Sequence, residues 1–316
     1  MILGNLDYET QLARQAGIQI ELPKRVRKML AGLSTLMAAL GNDGDELWTM
    51  EPVDGARLGA DLPEVRLVNG ECASPVAVAW GDMTAARWNN RRFHFELGEA
   101  LGSNHPRTRI VDSLAELEAH IADDDWVVKA PLSASGRFRL RRRGALDTAS
   151  RKRAARLLSQ FGELLFEPWV QRTADYGCVG HVSADSVSLR SPHVLVVDKA
   201  GVFRGIDLST PTDHVATPLT DVARRVGQQL HGEGYRGPFG IDSYAFIGAD
   251  GEPGLRAFCE LNARHSFGHI AWAISDRVGE RLRLFVDHGE PPDSGRVVLA
   301  PGVDDPTCSW WEPEAA

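Results

Sequence analysis

The strongest constraint on the fold of this chain is a pair of apolar, strand-like stretches near its C-terminus that carry polar side chains. GPFGIDSYAF (237–246) contains Asp242, and LRAFCELN (255–262) contains Glu260 and Asn262. The Ala-Asp-Gly tripeptide between the two stretches supplies turn chemistry, so we expect them to pair as an antiparallel hairpin. Such pairing would bring the three polar side chains close together, because strand side chains alternate between two faces.

The side chains of this hairpin predict a cation site. Glu260, Asn262 and Arg264 occur at every second position of the sequence. A carboxylate in an apolar strand needs a partner, because burying it alone is costly. The oxygen donors of Asp242, Glu260 and Asn262 suit Mg²⁺, and we favour a metal site. The alternative is a salt-bridged trio in the sheet, with Arg264 as the counter-ion.

A lysine at the end of another apolar stretch predicts a second charged site. WVVKAP (126–131) is typical of a buried strand, yet it carries Lys129 near its end. The following residues are small, and their backbone amides can approach an anion closely; they are Ser133, Ala134, Ser135 and Gly136. We interpret the lysine and this loop as a phosphate clamp. The alternative is a lysine that extends to solvent beside a plain hairpin turn.

Composition and charge limit the class of protein. The chain has 316 residues, 43% hydrophobic and 25% charged, which predicts a globular protein of two or three domains or lobes. Its net charge of -8 disfavours bulk binding to nucleic acid or to anionic membranes. No apolar run approaches the ~20 residues of a membrane span. The four cysteines lack zinc-site spacing, so we expect reduced thiols, a cytoplasmic location and no membrane partner.

The periodicity of apolar residues divides the chain into two kinds of structure. The N-terminal third alternates strands with helices, at 1–6, 25–40, 45–50, 75–80 and 84–102. That alternation predicts a parallel α/β unit, and Gly102 is the expected C-cap of its last helix. The later part predicts an antiparallel-rich lobe with helices at 217–232 and 268–284. After Pro291 we expect one strand, at 296–300, and a loose tail.

Four motifs taken in order resemble one family. VVKAPLSASGRFR, LFEPWV, GPFGIDSYAF and FCELNAR are similar to the motifs of the ATP-grasp superfamily of carboxylate–amine ligases, over roughly residues 84–285. The resemblance implies an N-terminal α/β domain, at 1–104, followed by the α+β ATP-grasp fold. The two lobes of that fold, at 105–170 and 171–316, would hold ATP between them.

The resemblance also implies which residues bind the nucleotide. Lys129 matches the lysine that contacts the α and β phosphates. The flexible loop over the triphosphate is matched by Ser133, Ser135, Gly136 and Arg137. Glu167 matches the residue that takes the adenine amino group, while the backbone of Trp169 and Val170 would meet the edge of the ring. Asp175 matches the acidic residue on the ribose hydroxyls.

The metal and the reacting group are assigned in the same way. Asp242, Glu260 and Asn262 match the Mg²⁺ ligands, and Arg264 matches the arginine that holds the transferred phosphoryl group or the developing oxyanion. The chain departs from the family at Asp242, where many members carry glutamate. Its small-residue loop is also short and has no second glycine. We therefore expect a slightly different shape for the metal site and for loop closure.

The activity implied by the resemblance is ADP-forming ligation of a small-molecule carboxylate to an amine through an acyl phosphate. The substrates would be two small molecules, or an amino acid and a peptide. Two alternatives remain open at this point. One is a kinase of the same fold that phosphorylates a hydroxyl group, and the other is a nucleotide-binding regulator without turnover. A homodimer is expected only by analogy with similar enzymes.

Two further features have simpler interpretations. His265 and His269 are spaced as metal ligands on a helix would be, but Gly268 lies between them. We favour a helix-start or substrate-side role for them over a second metal. The basic stretch at 136–156 is interpreted as a solvated face and not as a nucleic-acid surface, because exposed aromatic residues do not alternate with its arginines. The arginines of WNNRR (88–92) are interpreted as a helix face.

Overall fold

The computed structural model describes residues 1–70, 75–133, 138–199, 201–248 and 250–314. In that part of the chain the strands form three sheets, each built from a continuous section of the sequence. The first sheet is parallel and the other two are antiparallel. Within the described ranges, no helix is both long and apolar enough to cross a bilayer.

The N-terminal sheet has the strand order β3-β2-β1-β4, with every pair parallel. This confirms the predicted parallel α/β unit. Its elements and the helices beside it are β1 (Ile2–Gly4), α1 (Tyr8–Gln15), α2 (Lys24–Ser34), β2 (Glu46–Thr49), β3 (Arg66–Val68), β4 (Val78–Ala79) and α3 (Arg91–Leu101).

Both helices predicted in this part are interrupted. A 3₁₀ helix, Thr35–Leu40, continues from α2. The helix predicted over 84–102 is a 3₁₀ helix, Met83–Asn89, followed by α3. Asn90 separates them because its side chain accepts the N–H of Arg92 and so begins a new helix. Gly102 ends α3 in the left-handed conformation, at φ 66°, as predicted.

The second sheet has the order β5-β8-β6-β7 and carries two helices on one side. Its elements are β5 (Arg109–Val111), α4 (Leu114–His120), β6 (Asp125–Lys129), β7 (Arg139–Arg143), α5 (Thr148–Phe161) and β8 (Leu164–Pro168). Trp126, Val128 and Phe166 are buried between this sheet and its helices, in a core separate from those of the other sheets. We call this part the small lobe.

The third sheet, which we call the large sheet, has the order β14-β13-β9-β11-β12-β15-β17-β16, and β10 also pairs with β9. It confirms the predicted antiparallel-rich lobe. Its elements are β9 (Gln171–Val182), β10 (Val187–Leu189), β11 (His193–Val197), β12 (Phe203–Asp207), α6 (Asp213–Gly232), β13 (Gly237–Ile247), β14 (Pro253–Asn262), α7 (Phe267–Val278), β15 (Leu282–His288), β16 (Arg296–Leu299) and β17 (Thr307–Pro313).

Two predictions for the C-terminal part are wrong. The helix predicted over 268–284 ends at Val278, because Gly279 takes the left-handed conformation at φ 78° and the chain then enters β15. The tail is not loose, since β17 lies between β15 and β16. Burial explains this, because Trp311 on β17 has no exposed surface and packs in the shared core.

The packing of the N-terminal elements against the large sheet brings distant segments together. Buried residues of the N-terminal sheet and of the large sheet form a common core, which includes Ile2, Trp80 and Leu284. Helix α3 packs its Phe93 and Leu97 in the core that contains Phe258 of β14. The small lobe follows from β8 directly into β9 of the large sheet. The domain limits at 104 and 170 stay a prediction.

Candidate nucleotide and metal site

A buried ion triad joins the small lobe to the large sheet. Lys129 Nζ on β6 lies 2.5 Å from Glu167 Oε2 on the neighbouring strand β8. The other oxygen, Oε1, accepts a hydrogen bond from Nη1 of Arg256 on β14 at 2.6 Å. Burial alone would raise the pKa of Glu167, but the Lys129 and Arg256 charges hold it well below its usual range. The carboxylate is therefore ionised and fully paired.

Arg256 was not predicted as a site residue, and it is the most connected member of this triad. Its Nη1 also donates to Tyr244 Oη at 3.2 Å, and its Nη2 donates to Asn104 Oδ1 at 3.2 Å. Its Nε donates to the Phe258 carbonyl at 3.2 Å. Phe258 interrupts the polar alternation between Arg256 and Glu260, and the hairpin register shifts between these two positions, so no sequence pattern pointed to Arg256. Its partners lie on separate segments that only the fold brings together.

The predicted adenine and ribose residues lie where the small lobe meets the large sheet. The Trp169 N–H donates to the Asp125 carbonyl at 2.8 Å, so that N–H is already used within the sheet. The ring of Trp169 stacks against Arg141, whose guanidinium carbon is 4.0 Å from the ring centroid. Val170 is partly buried at the end of this segment. Asp175 on β9 pairs with Arg172 at 2.7 Å.

The three predicted metal ligands do come together. Asp242 lies directly opposite Glu260 in the β13–β14 ladder, which is the hairpin predicted from the sequence. Asn262 Nδ2 donates to Asp242 Oδ2 at 3.3 Å. Burial, and next the charge of Glu260, raise the pKa of Asp242 to about 7. Burial and the neighbouring carboxylate thus disfavour the ionised form of Asp242, and the oxygens of the pair are of the kind that Mg²⁺ binds.

Arg91 is a second site residue that the sequence did not reveal. Its Nη2 donates to Glu260 Oε1 at 2.9 Å, and its Nη1 donates to the Ala130 carbonyl and to Ser133 Oγ, both at 2.7 Å. Burial alone would raise the pKa of Glu260, but Arg91 and then Lys129 outweigh it, so the pKa is lowered. No signal in the WNNRR segment distinguishes Arg91 from the other arginines interpreted as a helix face, and the structure places it, buried, at the start of α3.

Ser133 is the residue of the small-residue loop that the structure describes. Ser133 is held by Arg91, through both its hydroxyl and its carbonyl oxygen. The other loop residues predicted to cover the triphosphate, Ser135, Gly136 and Arg137, lie outside the described residues. Their role therefore stays a prediction.

Arg264 follows the end of β14 and is held between two parts of the N-terminal sheet. Its Nε lies 2.6 Å from Glu9 Oε1 on α1, with both side chains about nine-tenths buried. Its guanidinium carbon lies 5.2 Å from the centroid of the Trp80 ring. Its charge also lowers the pKa of Asp242, although burial and Glu260 dominate that group. Arg264 thus lies between the carboxylate pair and the N-terminal sheet.

The two histidines beside Arg264 are bound to the backbone. His269 Nδ1 accepts the N–H of Ser266 at 3.1 Å and so caps α7, which gives it the predicted helix-start role. His265 Nδ1 lies 2.7 Å from the Ala79 carbonyl, and the backbone N–H of His265 donates to the Trp80 carbonyl at 2.8 Å. Burial lowers the pKa of His265 to about 4, so its ring is neutral near pH 7.

Comparison with known proteins gives structural matches only. No sequence profile of a protein family matches the chain, and no curated protein matches it significantly in sequence. The structure is similar to that of N5-carboxyaminoimidazole ribonucleotide synthetase from Thermus thermophilus, with TM-score 0.60 and 14% identity over 99% of this chain and 92% of that one. It is also similar to N5-carboxyaminoimidazole synthetase from Staphylococcus aureus, solved with ADP, with TM-score 0.57 and 10% identity over 100% and 92% of the two chains.

A third structural match is to a protein whose name refers to other substrates than those of the first two. The structure is similar to that of phosphoribosylamine–glycine ligase from Thermotoga maritima, with TM-score 0.54 and 12% identity over 90% of this chain and 89% of that one. The three matched proteins have the ATP-grasp fold. At these identities the likeness establishes the fold, and it confirms the fold that the four sequence motifs predict: an N-terminal α/β domain followed by an α+β ATP-grasp fold.

Proposed function

We propose that this protein is an ATP-dependent, ADP-forming ligase that joins a carboxylate to an amine. The observation that carries the proposal is the proximity of two different charge arrangements in an ATP-grasp fold. Lys129 and Arg256 surround a single carboxylate, whereas Asp242 and Glu260 face each other, and burial with the charge of Glu260 raises the pKa of Asp242. A polyphosphate with a divalent cation complements both arrangements.

The donor set of the hairpin fits Mg²⁺. Asp242, Glu260 and Asn262 offer carboxylate and amide oxygens on adjacent strands, and burial followed by the charge of Glu260 raises the pKa of Asp242, whose ionised form a bound cation would favour. In this proposal these three residues would hold Mg²⁺, which when bound supplies charge neutralisation at the phosphates of the nucleotide.

The remaining residues would bind and orient ATP. Lys129 would contact the α and β phosphates, under the loop that contains Ser133, Ser135, Gly136 and Arg137. Trp169, Val170 and Asp175 would hold the adenosine, in a position where the small lobe meets the large sheet. Because both oxygens of Glu167 are paired with cations, its contact with the adenine amino group would have to use the second lone pair of an oxygen.

The reaction would proceed in two transfers. The substrate carboxylate attacks the γ-phosphorus of ATP, which forms an acyl phosphate and releases ADP. The amine then attacks the acyl carbon, and the C–O bond to phosphate breaks as inorganic phosphate leaves. The protein does little covalent work in such a scheme, so positioning and charge neutralisation dominate. Arg264 would stabilise the transferred phosphoryl group or the oxyanion of the tetrahedral intermediate.

The substrates are proposed only as a class. The names of the matched proteins refer to an aminoimidazole ribonucleotide, to phosphoribosylamine and to glycine, which are all small molecules. We propose a small-molecule carboxylate and a small-molecule amine for this chain, with an amino acid or a peptide among the candidates. A homodimer in the cytoplasm is the corresponding proposal for its assembly and location.

A coupled assay tests the proposal. The protein is incubated with ATP, Mg²⁺ and pools of carboxylates, with hydroxylamine as a general nucleophile. A ligase yields hydroxamate together with ADP and free phosphate. A stable phosphorylated product without phosphate release would favour the kinase, and no ADP with any pool would favour the regulator. Glu260→Gln removes a proposed metal ligand and should lower ADP formation in this assay. Glu252→Gln, at an exposed residue of the same hairpin, is its matched control.

A further inference from the structure

Glu167 is paired with two cations that differ in how firmly they are held. Among the described residues, the Lys129 ammonium forms its hydrogen bond and ion pair with Glu167 alone. The Lys129 side chain is 15% exposed. Arg256 is only 6% exposed, and four groups hold it. Those groups are Glu167 Oε1, Tyr244 Oη, Asn104 Oδ1 and the Phe258 carbonyl. Lys129 is thus the partner that can leave Glu167, and Arg256 is the one that stays.

Departure of Lys129 has an electrostatic consequence. Under the proposed function, on which this inference rests, the lysine moves toward the phosphates of the nucleotide. A carboxylate buried to 96% cannot lose its only counter-ion cheaply, because a bare buried charge is strongly unfavourable. In this protein it does not lose its only counter-ion, since Arg256 remains at 2.6 Å.

We propose that Arg256 is a positioning residue for nucleotide binding that acts through Glu167. It keeps the Glu167 carboxylate neutralised and fixed, so that Lys129 can exchange that carboxylate for a phosphate oxygen. Without Arg256, Glu167 holds Lys129 as its sole counter-ion, and the nucleotide must compete for the lysine. Arg256 therefore increases the affinity for phosphate-bearing nucleotides without touching them.

The connection of Arg256 to both lobes gives this role a structural basis. Arg256 belongs to β14, Glu167 to β8 of the small lobe, and Asn104 to the segment that enters the small lobe. The planar guanidinium reaches all of them at once because its donors point in different directions. A lysine at this position would supply the charge, but it would not reproduce the whole set of hydrogen bonds.

Calorimetry with ADP and with adenosine tests the proposal. Arg256→Met is expected to lower the affinity for ADP about tenfold and to leave the affinity for adenosine within about twofold, a coupling of ordinary size. Arg256→Lys keeps the charge and is expected to retain most of the ADP affinity. Equal losses for ADP and adenosine in Arg256→Met would overturn the proposal, because they would indicate a merely structural residue.

A double-mutant cycle with Glu167→Gln separates the charge effect from packing. Glutamine has the shape of Glu167 without its charge, so Lys129 is no longer retained by a carboxylate. Arg256→Met is then expected to change ADP affinity by less than about twofold in the Glu167→Gln background. An undiminished tenfold effect in that background would contradict the proposal.

A single variant keeps the test valid if Arg256→Met does not fold. In Glu167→Gln alone, the ratio of ADP affinity to adenosine affinity is expected to be at least that of the wild-type protein, because Lys129 is already free and a lost contact with the adenine lowers both affinities equally. A tenfold fall of this ratio in the folded variant would contradict the proposal. If the wild-type protein bound no ADP, the proposed function itself would fail. If it bound ADP and formed hydroxamate while the cycle showed no coupling, only the role of Arg256 would fail.

Discussion

Two charge clusters in the cleft of this protein are built in opposite ways. In the triad cluster, one carboxylate, Glu167, is shared by the two cations Lys129 and Arg256. In the hairpin cluster, two carboxylates, Asp242 and Glu260, face each other, and Arg91 pairs with Glu260 only. The pKa directions reflect this contrast, since that of Glu167 is strongly lowered and that of Asp242 is raised.

The contrast separates a preformed site from an incomplete one. The triad cluster is stable without a ligand, because Lys129 and Arg256 neutralise Glu167. Its second positive charge can then pair with an anion. In the hairpin cluster, burial and the charge of Glu260 disfavour the ionised form of Asp242, and a bound cation would favour that form. Removing Arg256 should therefore destabilise the triad cluster, whereas removing the charge of Asp242 should stabilise the hairpin cluster, which gives the comparison a measurable sign.

The largest expected effect is on turnover, through the hairpin cluster. Glu260→Gln removes a proposed metal ligand and should lower the rate of ADP formation by about 10³-fold, since several kcal/mol of charge stabilisation are lost. The rate is measured with saturating ATP and hydroxylamine as the nucleophile. Glu252→Gln, on the same hairpin, should leave it unchanged. Full activity of Glu260→Gln would contradict the proposed metal site.

The next effect is on stability, through the triad cluster. Arg256→Met leaves Glu167 with Lys129 alone and removes several hydrogen bonds, so the free energy of unfolding should fall by about 3–5 kcal/mol. Arg256→Lys should lose less, because the charge remains. Urea denaturation followed by circular dichroism measures both. A loss below about 1 kcal/mol for Arg256→Met, typical of exposed pairs, would mean that the triad is not preformed.

The pH dependence of stability tests the hairpin cluster, where removing a charge is expected to raise the free energy of unfolding and not to lower it. The pKa of Asp242 is about 7 in the folded protein, above its ordinary value of 3.8. Between these values the folded protein binds the proton that the unfolded chain has released. Without Mg²⁺, the free energy of unfolding should therefore fall by about 2–4 kcal/mol as the pH rises from 4 to 7, and then level off.

Asp242→Asn provides the control for this titration. Asparagine cannot ionise, so this part of the pH dependence should disappear, and the variant should be more stable than the wild-type protein at pH 8 without Mg²⁺. The difference between the two urea denaturation curves isolates the contribution of Asp242 from that of other titrating groups. Identical pH profiles for the two proteins would show that folding does not raise the pKa of Asp242.

The smallest expected effect is the response of the melting temperature to Mg²⁺. At pH 8 Asp242 is ionised and Mg²⁺ should raise the melting temperature by about 2–4 °C, because a ligand of the folded state stabilises it. At pH 6 the proton competes and the shift should be smaller. Glu260→Gln should show no shift at either pH. An equal shift in that variant would place the Mg²⁺ elsewhere on the protein.

The local features of the hairpin cluster were predictable from sequence. Alternation of polar with apolar residues places Glu260 and Asn262 on one face, and the turn chemistry predicts that β13 and β14 pair as a hairpin. The direct opposition of Asp242 and Glu260 also depends on a register shift between Tyr244 and Asp242, which the turn alone does not give. The periodicity of apolar residues also predicted many of the strands and helices. The alternation of strands with helices then predicted the parallel N-terminal sheet.

The arginines of the cleft were not predictable in the same way. Arg256 meets Glu167 across 89 residues, and Arg91 meets Glu260 across 169 residues. An arginine inside a strand or on a helix reads equally well as a solvated residue, because its long side chain gives no local sign of its partner. The C-terminal strand β17 was missed for a similar reason, since its stability comes from pairing with β15 and β16.

Sequence alone therefore determined the order of the motifs and the hairpin with its oxygen donors, because these depend on local periodicity and turn chemistry. The resemblance of the four motifs to a known family implied the ATP-grasp architecture. The tertiary structure decided which charges neutralise which. It gave Glu167 two cations, left Asp242 with its pKa raised by burial and by Glu260, and directed Arg264 toward Glu9. Electrostatic balance in a buried cleft depends on distances between segments far apart in the chain, and only folding sets those distances.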